Sequence, residues 1–102
     1  MSNEIKIPDG KELKIKIDDG VLPGKYANQI IIMHSKDEFI LDFVTFLPPG
    51  PNVVSRVIMT PGHFKRILAG MNDNLQKYER NFGEISIAND PVVPSEGGKS
   101  IH

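Results

Sequence analysis

The sequence contains no cysteine and no tryptophan among its 102 residues. Without cysteine there is no disulfide, no thiolate nucleophile and no cysteine-ligated zinc or iron–sulfur site. Small secreted domains often depend on disulfides, so their absence favours a cytoplasmic location. We expect the protein to carry no metal and no cofactor.

Long hydrophobic runs and an excess of one charge are also missing. The longest apolar run, at 30–33, is far shorter than the roughly 20 residues that cross a bilayer. The first residues lack the apolar core of a signal peptide, so we expect a soluble chain with no membrane partner. Twelve basic and thirteen acidic residues give a net charge of -1, which argues against whole-surface attraction to nucleic acid.

The length predicts one domain with two looser ends. Residues 1–11 are polar, and we expect them to form a flexible N-terminal segment. Residues 12–87 are predicted to form a single α+β domain. From 88 to 102 the chain is rich in Pro, Gly, Ser and Asn, which predicts a disordered tail.

Four segments alternate apolar and polar residues, or are rich in β-formers, as is typical of β-strands. They are 13–17, about 26–33, 38–46 and about 53–59. A stiff loop with three prolines, 47–52, precedes the last of them, and a further short strand is expected at 84–87. We predict an antiparallel meander of about four strands.

The last long segment is a helix with clear ends. Thr60 is a favourable N-cap, Pro61 suits the first helical position, and Gly83 suits the position after the last turn. Asp73 and Lys77 are four apart, with the acid first, which stabilises a helix. Seven apolar residues share a face about 100° wide, which we name the α1 stripe. They are Phe64, Ile67, Leu68, Met71, Leu75, Tyr78 and Phe82.

The helix is expected to pack on one face of the sheet. Both faces of the strands at 26–33 and 38–46 are largely apolar, so a second cover is needed. A partner subunit is the economical cover, and we expect a homodimer or a higher homo-oligomer. The alternative is that the sheet simply leaves these aliphatic side chains exposed.

No catalytic arrangement is visible. His34, His63 and His102 lack metal-ligand spacing, and the acidic clusters lie in turns, where such residues are ordinary. No serine lies in a nucleophile elbow, and the glycine-rich segment 97–100 lacks the upstream glycine of a phosphate loop. We predict that the protein is not an enzyme.

Two polar positions stand out from this background. Asp42 lies inside an apolar strand, so burial would require a partner, and Arg56 on the next strand is the natural one. Such a pair would be structural or interfacial. His63 lies in the first turn of the helix, where free amides and the helix dipole favour an anion.

Several motifs resemble a family of short bacterial and archaeal proteins catalogued as a domain of unknown function. They are EFILDF at 38–43, RVIMTPGHFKRIL at 56–68, YE at 78–79 and FGEI at 82–85. The resemblance covers about residues 26–85 and carries no assigned activity. Within the matching motifs, Arg56, His63 and Lys65 are candidate contacts for a ligand or an anion.

Two functional hypotheses follow. The first is a non-catalytic oligomeric interaction protein that binds polypeptide or a partner protein through an apolar sheet or helix face. The second is a single-stranded nucleic-acid-binding module, in which strand aromatics stack on bases beside lysine and arginine. Its candidate aromatics are Tyr26, Phe39, Phe43 and Phe46.

Overall fold

A computed structural model describes residues 3–6 and 13–87 as five strands followed by one helix. The elements are β1 (Asn3–Lys6), β2 (Lys14–Ile17), β3 (Gln29–His34), β4 (Phe39–Leu47), β5 (Gly50–Met59) and α1 (Pro61–Phe82). All strand pairs are antiparallel. The predicted α+β class, with strands first and one long C-terminal helix, is confirmed.

The strands form two sheets instead of one meander. β1 pairs with β2, while β3, β4 and β5 form a three-stranded sheet with β4 in the centre. Residues 18–28, which include Pro23 and Gly24 at φ +80°, separate β2 from β3, so β2 pairs with the nearer strand β1. β1 lies in the segment 1–11 that we expected to be flexible, and the predicted tail at 88–102 lies outside the described residues.

Several strand boundaries differ from the sequence prediction. β3 begins at Gln29 instead of about residue 26. β4 extends to Leu47 and β5 begins at Gly50, so only Pro48 and Pro49 remain of the expected loop. Pro51 lies in β5, which is an edge strand and therefore tolerates a residue without an N–H donor. No strand forms at 84–87.

A β-bulge in β5 changes which residues share a face. Phe43 lies opposite Ser55 but Val44 lies opposite Val53, so Val54 is the extra residue. Strict alternation groups Val53 with Ser55, whereas the bulge moves Val53 to the face of Arg56. We name this face, with its cross-strand neighbours, the Arg56 face. It carries Gln29, Ile31, Met33, Ile40, Asp42, Val44, Phe46, Val53, Arg56 and Ile58.

The helix ends are those that the sequence predicts. The His63 N–H donates to Oγ1 of Thr60 at 3.3 Å, which caps the first turn. Gly83 adopts φ +93° and donates its N–H to the carbonyl of Glu79 at 2.9 Å. Both signals are local in sequence, which explains why the prediction succeeds.

The helix does not lie across the sheet, in contrast to our expectation. α1 has no buried residue, and it touches the sheet at its first turn, where the ring of Phe64 stacks on Phe39 with centroids 4.0 Å apart. Thr60 alone separates β5 from α1, which is too short a connection for the chain to reverse over the sheet. The other six residues of the α1 stripe are 38% to 74% exposed.

The core of the described residues is small. Leu41 and Val44 are its buried apolar side chains, and Asp42 is buried beside them in β4. The other apolar residues of the three-stranded sheet are half-buried or exposed. The centre of the sheet is therefore the best-packed part of the described chain.

Candidate functional site

A two-bond ion pair lies at the centre of the Arg56 face. Asp42 of β4 lies directly opposite Arg56 of β5. Nε of Arg56 donates to Oδ1 of Asp42 at 2.7 Å, and Nη2 donates to Oδ2 at 2.8 Å. The planar guanidinium suits this parallel arrangement. The pairing predicted from the sequence is confirmed.

The two partners differ strongly in exposure. The Asp42 side chain is 5% exposed and the Arg56 side chain is 57% exposed. The hydrogen bond from Arg56 lowers the pKa of Asp42, against the opposing effect of desolvation. The same bond raises the pKa of Arg56. A buried carboxylate thus holds an exposed cation in a fixed position on the sheet.

The surface around this cation is apolar. Met33, Phe46, Val53 and Ile58 lie on the same face and are each 41% to 54% exposed. They come from all three strands of the sheet and lie on both sides of Arg56. Exposed apolar patches of this kind mark interaction surfaces.

The α1 stripe is a second apolar surface. Its 22-residue helix is about 33 Å long at the usual rise per residue. The rings of Tyr78 and Phe82 contact each other, with centroids 5.0 Å apart. The stripe therefore leaves an exposed apolar surface on the order of several hundred Å², comparable to the largest patch of an ordinary monomer.

A cavity of about 360 Å³ lies between the segment after β2 and the opposite face of the sheet. Residues of 20–27, including Lys25, line one side, and Phe43, Val54 and Ser55 line the other. No acidic residue or histidine is in this lining. The cavity therefore offers no acid–base pair.

The family model described as "protein of unknown function (DUF3467)" matches residues 1–87. The chain belongs to this family. The match includes β1 and β2, which lie outside the 26–85 range of the motif resemblance. No curated protein and no solved structure matches the chain. The DUF3467 family brings no assigned activity, so the exposed surfaces of the chain are the guide to its function.

The three candidate contacts of this DUF3467 chain lie apart. Arg56 lies on the Arg56 face of the sheet, whereas His63 and Lys65 lie near the start of α1. His63 and Lys65 are two positions apart, which corresponds to about 200° of rotation around a helix. Their side chains therefore point to nearly opposite sides of α1. Both are exposed. Their role as anion contacts stays a prediction.

Metal and membrane sites receive no support from the described residues. Across 3–6 and 13–87, no group of three His, Asp or Glu side chains is placed to hold a metal ion. Within the same ranges, α1 and the other elements include no helix with the length and apolar character that a bilayer span requires.

The sequence indicated apolar sheet faces but did not single out two residues that matter here. Val53 lies on the Arg56 face only because of the bulge, and no sequence pattern in β5 predicts that bulge. Glu79 is half-buried, and its Oε2 accepts the Ile85 N–H at 3.0 Å. The signal that could have identified Glu79 is its place four positions before Gly83, the glycine that ends α1.

Proposed function

We propose that this protein is a non-catalytic, self-assembling binding protein that holds polypeptide segments on the Arg56 face. The observation that carries the proposal is the exposed apolar patch around a cation that a buried carboxylate fixes in place. Arginine and methionine are both enriched at binding surfaces, arginine for its several donors and methionine for its adaptable shape.

The arrangement of Arg56 suits a polypeptide ligand. Its two bonds to Asp42 use two of the five N–H donors of a guanidinium. The remaining donors can bond to backbone carbonyls or a carboxylate of a bound segment. Met33 and Ile58 can contact apolar side chains of the same segment. This combination requires no particular ligand sequence.

The small core supports self-assembly. Ordering each residue costs about 1–2 kcal/mol of backbone entropy, whereas a fully buried aliphatic side chain contributes about 1.5–3 kcal/mol. Leu41 and Val44 are the buried apolar residues of 3–6 and 13–87, and each is still 4% exposed. Additional burial between copies would supply the missing stabilisation, as in dimers that have no stable monomer.

The absence of a catalytic role is part of the proposal. General acid–base catalysis needs titratable groups that converge on a cleft. In the described part of the chain, the Asp42 carboxylate forms an ion pair with Arg56, and His63 lies on the exposed first turn of the helix. These placements support a binding surface over an active site.

The nucleic-acid alternative is less well supported by the aromatic positions. The ring of Phe39 is already stacked on Phe64, and Phe43 lines the cavity on the face opposite to Phe46, so the strand aromatics do not share one stacking surface. Tyr26 and Phe46 remain exposed. A fluorescent single-stranded oligonucleotide at low salt tests this alternative, because such binding depends steeply on salt.

Binding of an unfolded polypeptide tests the proposed function. The probe is fluorescein-labelled, reduced and carboxymethylated lactalbumin, which cannot fold, and the readout is fluorescence anisotropy. Replacing Ile58→Thr keeps a β-branched side chain and removes apolar contact area, so we expect affinity to fall about fivefold.

The matched control is Val57→Thr, at the neighbouring position on the other face of β5. It is expected to bind the probe as the wild type does. Equal losses in both variants would contradict the assignment to the Arg56 face. If the wild type does not bind the probe at a protein concentration of about 50 µM, any Kd is too weak for a useful contact. That result would contradict the proposed function itself.

A further inference from the structure

The α1 stripe has nearly the same apolar pattern in both directions along the helix. Three pairs of its residues lie at equal distances, nine, five and two positions, on either side of Asp73. The pairs are Phe64 with Phe82, Leu68 with Tyr78, and Met71 with Leu75. Ile67 is the one exception, since its counterpart is Glu79. A copy of the helix turned end for end therefore presents apolar residues opposite apolar residues.

We propose that α1 pairs with α1 of a second copy, antiparallel, about a two-fold axis level with Asp73. This inference rests on the self-assembly in the proposed function and names its partner and its contact. In a two-fold interface, if one residue meets a second on the partner, the second meets the first in return. Because the order is mirrored, three of these reciprocal contacts join apolar residues to apolar residues, and Ile67 is the exception.

The exposed area fits a second copy. The six stripe residues beyond Phe64 are 38% to 74% exposed, along a helix about 33 Å long. A stable complex commonly buries about 800 Å² on each partner. Pairing the two stripes, together with Ile85 and Ile87 just beyond the helix, covers an area of this order.

Charges beside the stripe also favour the antiparallel direction. At 100° per residue, Lys65 and Glu79 lie within about 40° of each other on one flank. Residues on the same flank meet in an antiparallel pair, so Lys65 lies near the partner's Glu79, and the contact occurs twice. The Ile85 N–H holds one carboxylate oxygen of Glu79 at 3.0 Å and leaves the other for the lysine.

The other flank brings no like charges together. Asn74 and Asn81, which are neutral, lie there together with His63, whose mirrored position is Gly83. Arg66 and Asp73 lie on the far side of the helix, away from the stripe. At each end of the pair, the partner's Phe82 comes beside Phe64, whose ring is already stacked on Phe39. This accounts for the high exposure of Phe82, at 74%, in a single chain.

Charge reversal tests the pairing. Lys65→Glu places two acidic residues opposite each other at both contacts, and Glu79→Lys places two lysines there. Each variant alone is expected to self-associate about tenfold more weakly at low salt, where exposed pairs are least screened. Mixed in equal amounts, the two chains regain both opposite-charge contacts, so we expect a mixed dimer of wild-type strength. Sedimentation equilibrium measures all three constants.

Both reversals suit the helix dipole, although Glu79→Lys also removes the carboxylate that accepts the Ile85 N–H. An acidic residue near the N-terminus and a basic residue near the C-terminus both suit the helix dipole, and circular dichroism checks that each chain is folded. Arg66→Glu is the matched control, in the same turn as Lys65 but on the far side. It is expected to associate as the wild type does and to give no added strength when mixed with Glu79→Lys.

The outcomes separate this inference from the proposed function. Restored association in the mixture supports the antiparallel pair. Self-association that neither reversal weakens, or that the mixture fails to restore, overturns the antiparallel pair but leaves self-assembly through another surface. A wild type that stays monomeric at millimolar concentration overturns both the pair and the self-assembly, while lactalbumin binding decides the polypeptide site separately.

Discussion

The Arg56 face and the α1 stripe are both apolar and exposed, and they differ in where their charges lie. On the sheet, a guanidinium lies within the apolar patch, held by two bonds to Asp42. On the helix, the charged residues lie on the flanks and the far side, and the stripe itself is uncharged. A patch with a charge inside it suits a ligand that offers acceptors, whereas an uncharged, mirrored stripe suits its own copy.

A charge placed in the middle of the stripe should have the largest effect. Leu75→Glu puts an unpaired carboxylate opposite the partner's Met71, and burying such a group is costly. We expect self-association to weaken about a hundredfold or more, measured by sedimentation or light scattering.

Gln76→Glu is the matched control for this change, since it adds the same charge one position along, off the stripe. It should associate nearly as the wild type does. If the two variants self-associate equally strongly, the α1 stripe is not the contact between copies. The proposed difference between the helix surface and the sheet surface would then be wrong.

Removal of Arg56 should produce the next largest effect, on stability. Arg56→Leu leaves the buried carboxylate of Asp42 without its partner, which lowers the urea midpoint. Lys77→Ala breaks an exposed helix pair of 3.0 Å, which is worth about 0.3–0.5 kcal/mol, and should shift the midpoint far less. An equal shift in both variants would contradict the structural role of the Asp42–Arg56 pair.

The double variant Asp42→Leu with Arg56→Leu separates stability from binding. Removing both charges leaves no unpaired group, so much of the lost stability should return. Lactalbumin binding should be weaker than in the wild type because the double variant lacks the cation. Self-association through the α1 stripe should be unchanged. Binding at wild-type strength would remove Arg56 from the proposed polypeptide site.

The parts of the fold that the sequence predicts are those with local causes. The helix ends depend on Thr60 and Gly83, and each acts on residues within one turn. The Asp42–Arg56 pair follows from alternation along β4 and β5, which sets the register of neighbouring strands. For the candidate site, this was enough to place the ion pair and the apolar stripe.

The other features depend on geometry that local patterns do not encode. The bulge at Val54 adds one residue to β5 without changing its composition, so it reverses the predicted face of Val53. The direction of α1 depends on the short connection through Thr60, and an apolar stripe does not reveal whether it covers its own sheet or a neighbour. The pairing of β1 with β2 likewise depends on the long segment between β2 and β3.

The pH dependence of stability gives the smallest effect, and it isolates the sheet pair. The hydrogen bond from Arg56 lowers the pKa of Asp42 below its ordinary value of 3.8. The carboxylate therefore binds a proton less readily in the folded chain than in the unfolded chain. Its contribution is fully present above the unfolded value and is lost as the pH falls through the lower folded value.

We therefore expect the urea midpoint to fall as the pH is lowered from 5 toward 2, and to fall less in the double leucine variant, which has no carboxyl at position 42. The difference between the two curves is the contribution of Asp42, measured by circular dichroism at each pH. The Leu75→Glu chain supplies the helix side of the contrast. Its added carboxylate has no cation beside it and becomes neutral in acid, so its self-association should recover as the pH falls, before the sheet pair is lost. Parallel curves for the wild type and the double variant would mean that the pair is not formed in the folded protein.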